Sequence, residues 1–185
     1  NMKIAFSILS CLLFTFTSTV GFGQSRLTVG QALDFWVTVT EEHVVAAADA
    51  MPEEKYSFGP TKGEFVGVRT FGQQIKHLSA NNYRMAAYIL GQVPSPDQQA
   101  ETGPASVQSK AQIMEYVRGS FAALHRAMAV INEGNMLEPL TAFPTPLQKT
   151  RLQLAEDVVA HSFNHYGQIV EYLRMNGIVP PASRK

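Results

Sequence analysis

Two histidines four residues apart, His161 and His165, have the residue type and spacing to do chemistry in this sequence. They lie in a stretch with helical periodicity, where residues at i and i+4 project from one face with Cβ atoms roughly 6 Å apart. Two imidazoles at that separation can bind one metal ion. The pair lacks the acidic neighbour of the H-E-x-x-H signature, so the alternative of two polar core rings that only hydrogen-bond to neighbours stays open.

A third metal ligand would have to come from elsewhere in the chain. His43, His77 and His125 each lie roughly 70 to 120° from the centre of their own helix's apolar stripe, at about 100° per residue. This periodicity does not choose among them and slightly favours His43. Thiolate ligands are not expected, because the single cysteine, Cys11, lies in an N-terminal apolar stretch that we expect to be removed.

Four amphipathic helices are predicted to position these histidines, because apolar residues recur at steps of three and four along most of the chain. The predicted helices cover about 28–51, 70–90, 109–131 and 145–177. Residues 91–108 contain three prolines and no apolar period, which predicts a long irregular connection. The expected fold class is all-α, a four-helix bundle with this connection between its second and third helices.

Capping patterns predict where the last two helices begin. Ser109 with Gln112 forms a capping box for the third helix. Thr145 as cap, Pro146 at the first helical position and Gln148 predict the start of the fourth.

The inward stripe of the fourth helix is predicted to pass through His161, His165 and Gln168 and to end at Met175. Gly167 lies in the same helix, where glycine costs about 1 kcal/mol relative to alanine. We therefore expect another helix to approach Gly167 closely.

Composition favours one compact domain, with 185 residues of which 45% are hydrophobic. The single tryptophan, Trp36, is expected to anchor its core. Fifteen basic and fifteen acidic side chains give a formal net charge of zero, so no field attracts nucleic acid or an anionic membrane. No nucleic-acid partner is expected.

The N-terminus has the pattern of a secretory signal. A positive start precedes an apolar stretch over 4–14, and small residues end at Gly23. The apolar run is shorter than the roughly 18 residues of a membrane span, so no stable membrane anchor is expected. We expect residues 1–23 to be a signal peptide, with Asn1 an addition ahead of the natural start. Residues 24–185 would then form one helical domain, exported to the periplasm or the exterior.

Three segments of the sequence are distinctive: MPEEKYSFGP (Met51–Pro60), FGQQIKHLSANNY (Phe71–Tyr83) and AHSFNHYGQIVEYLRMNGIVPP (Ala160–Pro181). Through these segments the sequence resembles the DinB-like family of four-helix-bundle metalloproteins over about residues 35–181. Members of that family bind a metal through one histidine of the second helix and an H-x-x-x-H pair on the last. The resemblance therefore implies His77, His161 and His165 as metal ligands. Many members have arginine after the last ligand, where this chain has Tyr166.

We also expect a small-molecule site around the metal. Gln168, Asn81 and Tyr83 are the candidates for pocket positions or for residues that support the ligands. Three protein ligands would leave one coordination position for water or substrate, the pattern of a catalytic zinc site. Histidine ligands suit a divalent ion, with Zn or Ni preferred and Fe or Mn as alternatives.

The expected function is that of an exported metal-dependent enzyme, a hydrolase or group transferase acting on a small molecule. Its catalytic residues and substrate are not predicted. Two alternatives stay open: a metal- or small-molecule-binding bundle without turnover, and a bundle whose histidines are only polar core residues. A homodimer is also open.

Overall fold

The computed structural model describes residues 26–60, 67–143 and 149–185. These residues form four long helices and one short helix: α1 Val29–Ala50, α2 Phe71–Ile89, α3 Pro96–Gln99, α4 Lys110–Ala129 and α5 Arg151–Met175. Within the same ranges there is no β-strand, so the all-α prediction is confirmed. The predicted signal peptide lies outside the described residues.

Each long helix begins at a capping box, which satisfies backbone N–H groups that have no partner within the helix. The cap side chain accepts a hydrogen bond from the third helical N–H, and the glutamine at that position bonds back to the cap. The four pairs are Thr28 with Gln31, Thr70 with Gln73, Ser109 with Gln112, and Thr150 with Gln153. The predicted box of α4 has formed as expected.

The predicted start of the last helix is wrong. Thr145, Pro146 and Gln148 lie outside the described residues, and the helix begins only at Arg151, capped by Thr150. Extended pairing explains the late start. The chain just before α5 forms an antiparallel bridge between Pro139 and Thr150, and the Leu140 N–H donates to the Lys149 carbonyl over 2.7 Å.

The four long helices pack as a ring in the order α1, α4, α2, α5. Neighbours along the ring share a core, whose largest fully buried side chains include Phe71, Phe121, Met51, Ile75 and Leu78. Burial of each such side chain stabilises the fold by about 1.5 to 3 kcal/mol. α2 is buried along most of its length, because α4 and α5 both pack against it.

The long connection after α2 folds back along that helix. It is mostly irregular, as predicted, apart from the four-residue α3. Lys76 on α2 donates to the Pro104 carbonyl over 2.9 Å. Gly103 has a φ of +69°, and a Cβ there would lie 3.1 Å from the Tyr116 ring. This turn brings the connection against the middle of α2.

Three packing predictions are wrong. Trp36 is 51% exposed and Met175 is 56% exposed, so neither is part of the core. A Cβ at Gly167 would meet nothing within 4 Å, so none of the described helices approaches that residue closely. Helical periodicity identifies an apolar stripe on a helix, but it does not show where the end of that stripe extends beyond the neighbouring helices into solvent. Across the described ranges, no helix combines the length and apolarity needed to cross a membrane.

Candidate metal centre

The rings of His77, His161 and His165 meet between α2 and α5. One nitrogen from each histidine lies within 4.8 Å of those of the other two. Nε2 of His161 is 3.3 Å from Nε2 of His77. Two nitrogens that bind one tetrahedral zinc ion at about 2.0 to 2.1 Å lie about 3.3 to 3.4 Å apart, so this spacing fits a shared ion. We call these three residues the histidine cluster.

The other two histidines lie elsewhere. His43 bonds through Nδ1 to the Val39 carbonyl of its own helix over 2.7 Å, and its ring packs edge-on against Tyr166. His125 lies between two carboxylates, 2.6 Å from Asp34 and 2.9 Å from Glu41. The structure thus brings His77 to the pair on α5 and leaves His43 and His125 away from it.

Two rings of the cluster are anchored through Nδ1. The Nδ1–H of His77 donates to the Glu101 carbonyl over 2.7 Å, and that of His165 donates to Gln74 Oε1 over 2.8 Å. In turn, the Gln74 amide donates to Gln168 Oε1 over 2.9 Å. A histidine whose Nδ1–H is donated in this way presents the lone pair of Nε2 to a metal.

A family model described as the DinB superfamily matches residues 37–169, which include the whole histidine cluster. The chain belongs to the DinB superfamily. The match confirms the resemblance inferred from the three sequence segments. No curated protein matched the sequence.

Burial keeps the cluster of this DinB-superfamily protein neutral. Burial, the rings of His161 and His77 and the charge of Arg69 together lower the pKa of His165 to about 3. Burial, the His77 ring and Arg84 together lower the pKa of His161 to about 4. The pKa of His77 is also lowered by burial, although its bond to Glu101 opposes this. At pH 7 all three rings are therefore in the neutral form that metals bind.

His161 has a different partner from the other two rings. Its Nδ1 lies 3.3 Å from Asn81 Nδ2, and Asn81 Oδ1 accepts a hydrogen bond from Arg84 over 2.8 Å. Asn81 is 4% exposed, so this amide is part of the buried surroundings of the cluster.

The three sequence candidates for supporting positions have different places in this DinB-superfamily fold. Asn81 contacts His161, and Gln168 reaches His165 only through Gln74. Tyr83 lies on the other side of α2, where its ring packs against Tyr116 of α4 at 5.1 Å. The structure does not bring Tyr83 to the histidines, because six residues along a helix turn its side chain about 120° away from that of His77.

Sequence reasoning missed Gln74, Arg84 and Glu101. Gln74 and Arg84 lie three residues before and seven residues after His77, spacings that place them near its face of α2. That spacing was a usable signal. Glu101 holds His77 through a backbone carbonyl from the irregular connection, and no side-chain pattern predicts such a contact.

Proposed function

We propose that this chain is a metal-dependent protein in which His77, His161 and His165 are the ligands. The convergence of three neutral ring nitrogens within 4.8 Å carries the proposal. Neutral imidazoles suit Zn or Ni best, with Fe or Mn as alternatives. When bound, such an ion supplies a Lewis acid and keeps its full charge, because the ligand set contributes none.

The protein's own residues prepare this site. Gln74 and the Glu101 carbonyl fix two rings, so that little ordering is left for the moment of binding. His165 is 5% exposed, whereas His77 and His161 are half-buried, so one side of the cluster stays accessible to solvent and to a small molecule.

We propose catalysis, hydrolysis or group transfer on a small molecule, as the use of this site. An enzyme needs an acid or base near the metal. The Glu101 carboxylate is the best candidate: it pairs with Arg69, and its charge acts on the pKa of His77. It comes from the same connection that holds the His77 ring.

Other acidic residues are less suitable for that role. Glu41 bonds to His125, and Glu171 pairs with Arg174 over 2.6 Å on the surface. Asp157 is exposed on α5. Glu41 and Glu171 are therefore held by partners outside the cluster.

Glu101→Gln separates an enzyme from a binding module, because it removes the charge and keeps the backbone carbonyl that holds His77. We expect the zinc-loaded protein to hydrolyse an ester probe such as p-nitrophenyl acetate. The variant should keep its zinc and lose at least about a hundredfold in rate, the low end for an acid or base catalyst. Zinc binding without hydrolysis, or an unchanged rate in the variant, would favour the non-catalytic metal-binding alternative.

We also propose that the protein is exported after removal of residues 1–23, which rests on the sequence pattern alone. Intact-mass measurement of the protein from its native host tests this. We expect the mass of a chain that begins at Gln24. A mature chain that retains Cys11 would contradict export by this route.

A further inference from the structure

The histidine cluster is not symmetric in its hydrogen bonds. His77 and His165 each place Nδ1 against a carbonyl-type oxygen, at 2.7 and 2.8 Å. Such an acceptor requires the ring proton on Nδ1 and leaves a lone pair on Nε2. Both rings are therefore already in the tautomer that binds metal through Nε2.

His161 is held in the opposite tautomer. The Arg84 guanidinium has only donors, so it selects the oxygen of the Asn81 amide, which it meets at 2.8 Å. This turns the Asn81 NH2 group toward His161 Nδ1 at 3.3 Å. A nitrogen that faces a donor must accept, so the proton of the neutral His161 ring lies on Nε2.

The remaining contact agrees with this assignment. His161 Nε2 lies 3.3 Å from His77 Nε2, which carries a lone pair because His77 donates through Nδ1. His161 Nε2–H can therefore donate to His77. Each of the three contacts in the chain from Arg84 through Asn81 and His161 to His77 then joins a donor to an acceptor.

We propose that Arg84 and Asn81 are positioning residues that hold His161 in its metal-free tautomer and so set the metal affinity of the site. The inference rests on the proposed metal site. For His161 to present Nε2 to a metal, the ring must lose its proton from Nε2 and gain a proton on Nδ1. The number of protons on the ring does not change. The Asn81 amide must then rotate, so that its oxygen accepts from Nδ1–H and its NH2 group faces Arg84. The Arg84 bond is lost in the exchange.

The spacing of these residues makes the arrangement local to one helix. His77, Asn81 and Arg84 follow each other at steps of four and three on α2, so all three project from one face. Arg84 therefore acts on His161 across the interface without leaving its own helix. Removing its bond to Asn81 should free the amide to rotate and should strengthen metal binding.

The tautomers can be measured in the metal-free protein by two-bond 1H–15N NMR of the histidine rings. We expect the proton of His161 on Nε2, and those of His77 and His165 on Nδ1. In Arg84→Met, the His161 proton should shift toward Nδ1. The matched control Arg118→Met, an exposed arginine on α4, should leave the spectrum unchanged. A wild-type His161 protonated on Nδ1 would overturn the inference.

Zinc affinity provides the second test, by competition with a chelator, in wild type, Arg84→Met, Asn81→Ala and the double variant. In the wild-type background, Arg84→Met should strengthen zinc binding about tenfold more than it does in the Asn81→Ala background. Without the Asn81 amide, the substitution can act only through the loss of the Arg84 charge. Equal effects in both backgrounds would overturn the inference and leave the metal site intact. Absence of zinc binding in all four proteins would overturn the proposed function as well.

Discussion

The histidine cluster and His125 show one residue type used in two opposite ways. His77 and His165 face oxygens of a carbonyl and an amide, and burial lowers their pKa values. His125 faces the carboxylates of Asp34 and Glu41; burial lowers its pKa, but the hydrogen bonds and negative charges of these two carboxylates together outweigh burial and raise it. We call this second group the His125 clamp.

The comparison shows that the partners of the ring nitrogens, and not burial alone, decide what a histidine can do. In the clamp both nitrogens are occupied by acceptors, which favours the imidazolium ion and leaves no lone pair for a metal. In the cluster one nitrogen of each ring is tied and the other faces the shared space. The clamp is therefore an ion-paired link between α1 and α4, and the cluster is a candidate ligand set.

The largest expected effect concerns the support of the cluster. Gln74→Leu removes the acceptor of His165 Nδ1–H and frees that ring to turn. Metal affinity should fall about 10- to 100-fold, the usual range for residues that orient a metal ligand. Gln168→Leu should lower metal affinity less, because Gln168 is one hydrogen bond further from His165. Competition with a chelator measures both.

The exposed Gln92 gives a control for that experiment, since Gln92→Leu should leave metal affinity unchanged. If Gln74→Leu also bound metal as tightly as wild type, the ring of His165 would not depend on its partner, and the contrast with the clamp would lose its basis.

The second prediction tests the clamp. His125→Gln leaves Asp34 and Glu41 without their shared cation, and it should lower the free energy of unfolding by about 1 kcal/mol at pH 6, since these side chains are part-exposed. His43→Gln is the matched control, because His43 has no carboxylate partner among the described residues. It should lower the free energy of unfolding by less than His125→Gln does. Urea unfolding of the two variants decides the point. Equal losses would mean that the carboxylates contribute nothing.

The sign of the pH dependence should differ between the two regions. An unfolded histidine has a pKa of about 6.5. Because the folded pKa of His125 is raised, its stabilising effect is full below pH 6.5 and is lost as pH rises through the raised value. Because the folded pKa of His165 is lowered to about 3, its contribution is present above pH 6.5 and is lost as pH falls toward 3.

Urea unfolding of metal-free protein at pH 5.5 and 8 measures this difference. The loss of unfolding free energy in His125→Gln should be larger at pH 5.5 than at pH 8. The loss in His165→Gln should be larger at pH 8 than at pH 5.5. Penalties that change in the same direction for both variants would contradict the assignment of opposite environments.

The smallest expected effect is at Gly167, beside the cluster on α5. Gly167→Ala should stabilise the fold by about 0.5 to 1 kcal/mol, because the new Cβ meets nothing within 4 Å and the helix gains propensity. Metal content should not change. A loss of metal in this variant would show that the open face beside the cluster matters to the site, which the geometry does not predict.

Local patterns predicted much of the fold and part of the site. The apolar stripes identified four helices, the Ser109 capping box identified the start of α4, and the i, i+4 pair placed His161 and His165 together. These signals succeeded because each acts within a single helix. The start of α5 was misplaced because the bridge to Pro139 holds Thr150 in an extended conformation, and that contact joins residues distant in the sequence.

The rest of the site depends on how helices face one another. Periodicity could not choose among His43, His77 and His125, because each lies on the flank of its stripe. His43 on α1 and His77 on α2 both face α5, and only the rotation of each helix about its axis decides which of them meets His161 and His165. The family resemblance supplied that information for His77. The role of Glu101 could not be predicted, because a backbone carbonyl in a loop has no sequence signature.

Metal content per chain, measured by elemental analysis after dialysis, tests the central claim most directly. Wild type and His125→Ala should each retain about one ion per chain, and His77→Ala should retain almost none, because two remaining ligands hold an ion poorly. His161→Ala and His165→Ala should behave like His77→Ala. Full occupancy in His77→Ala, or loss of the ion in His125→Ala, would contradict the account.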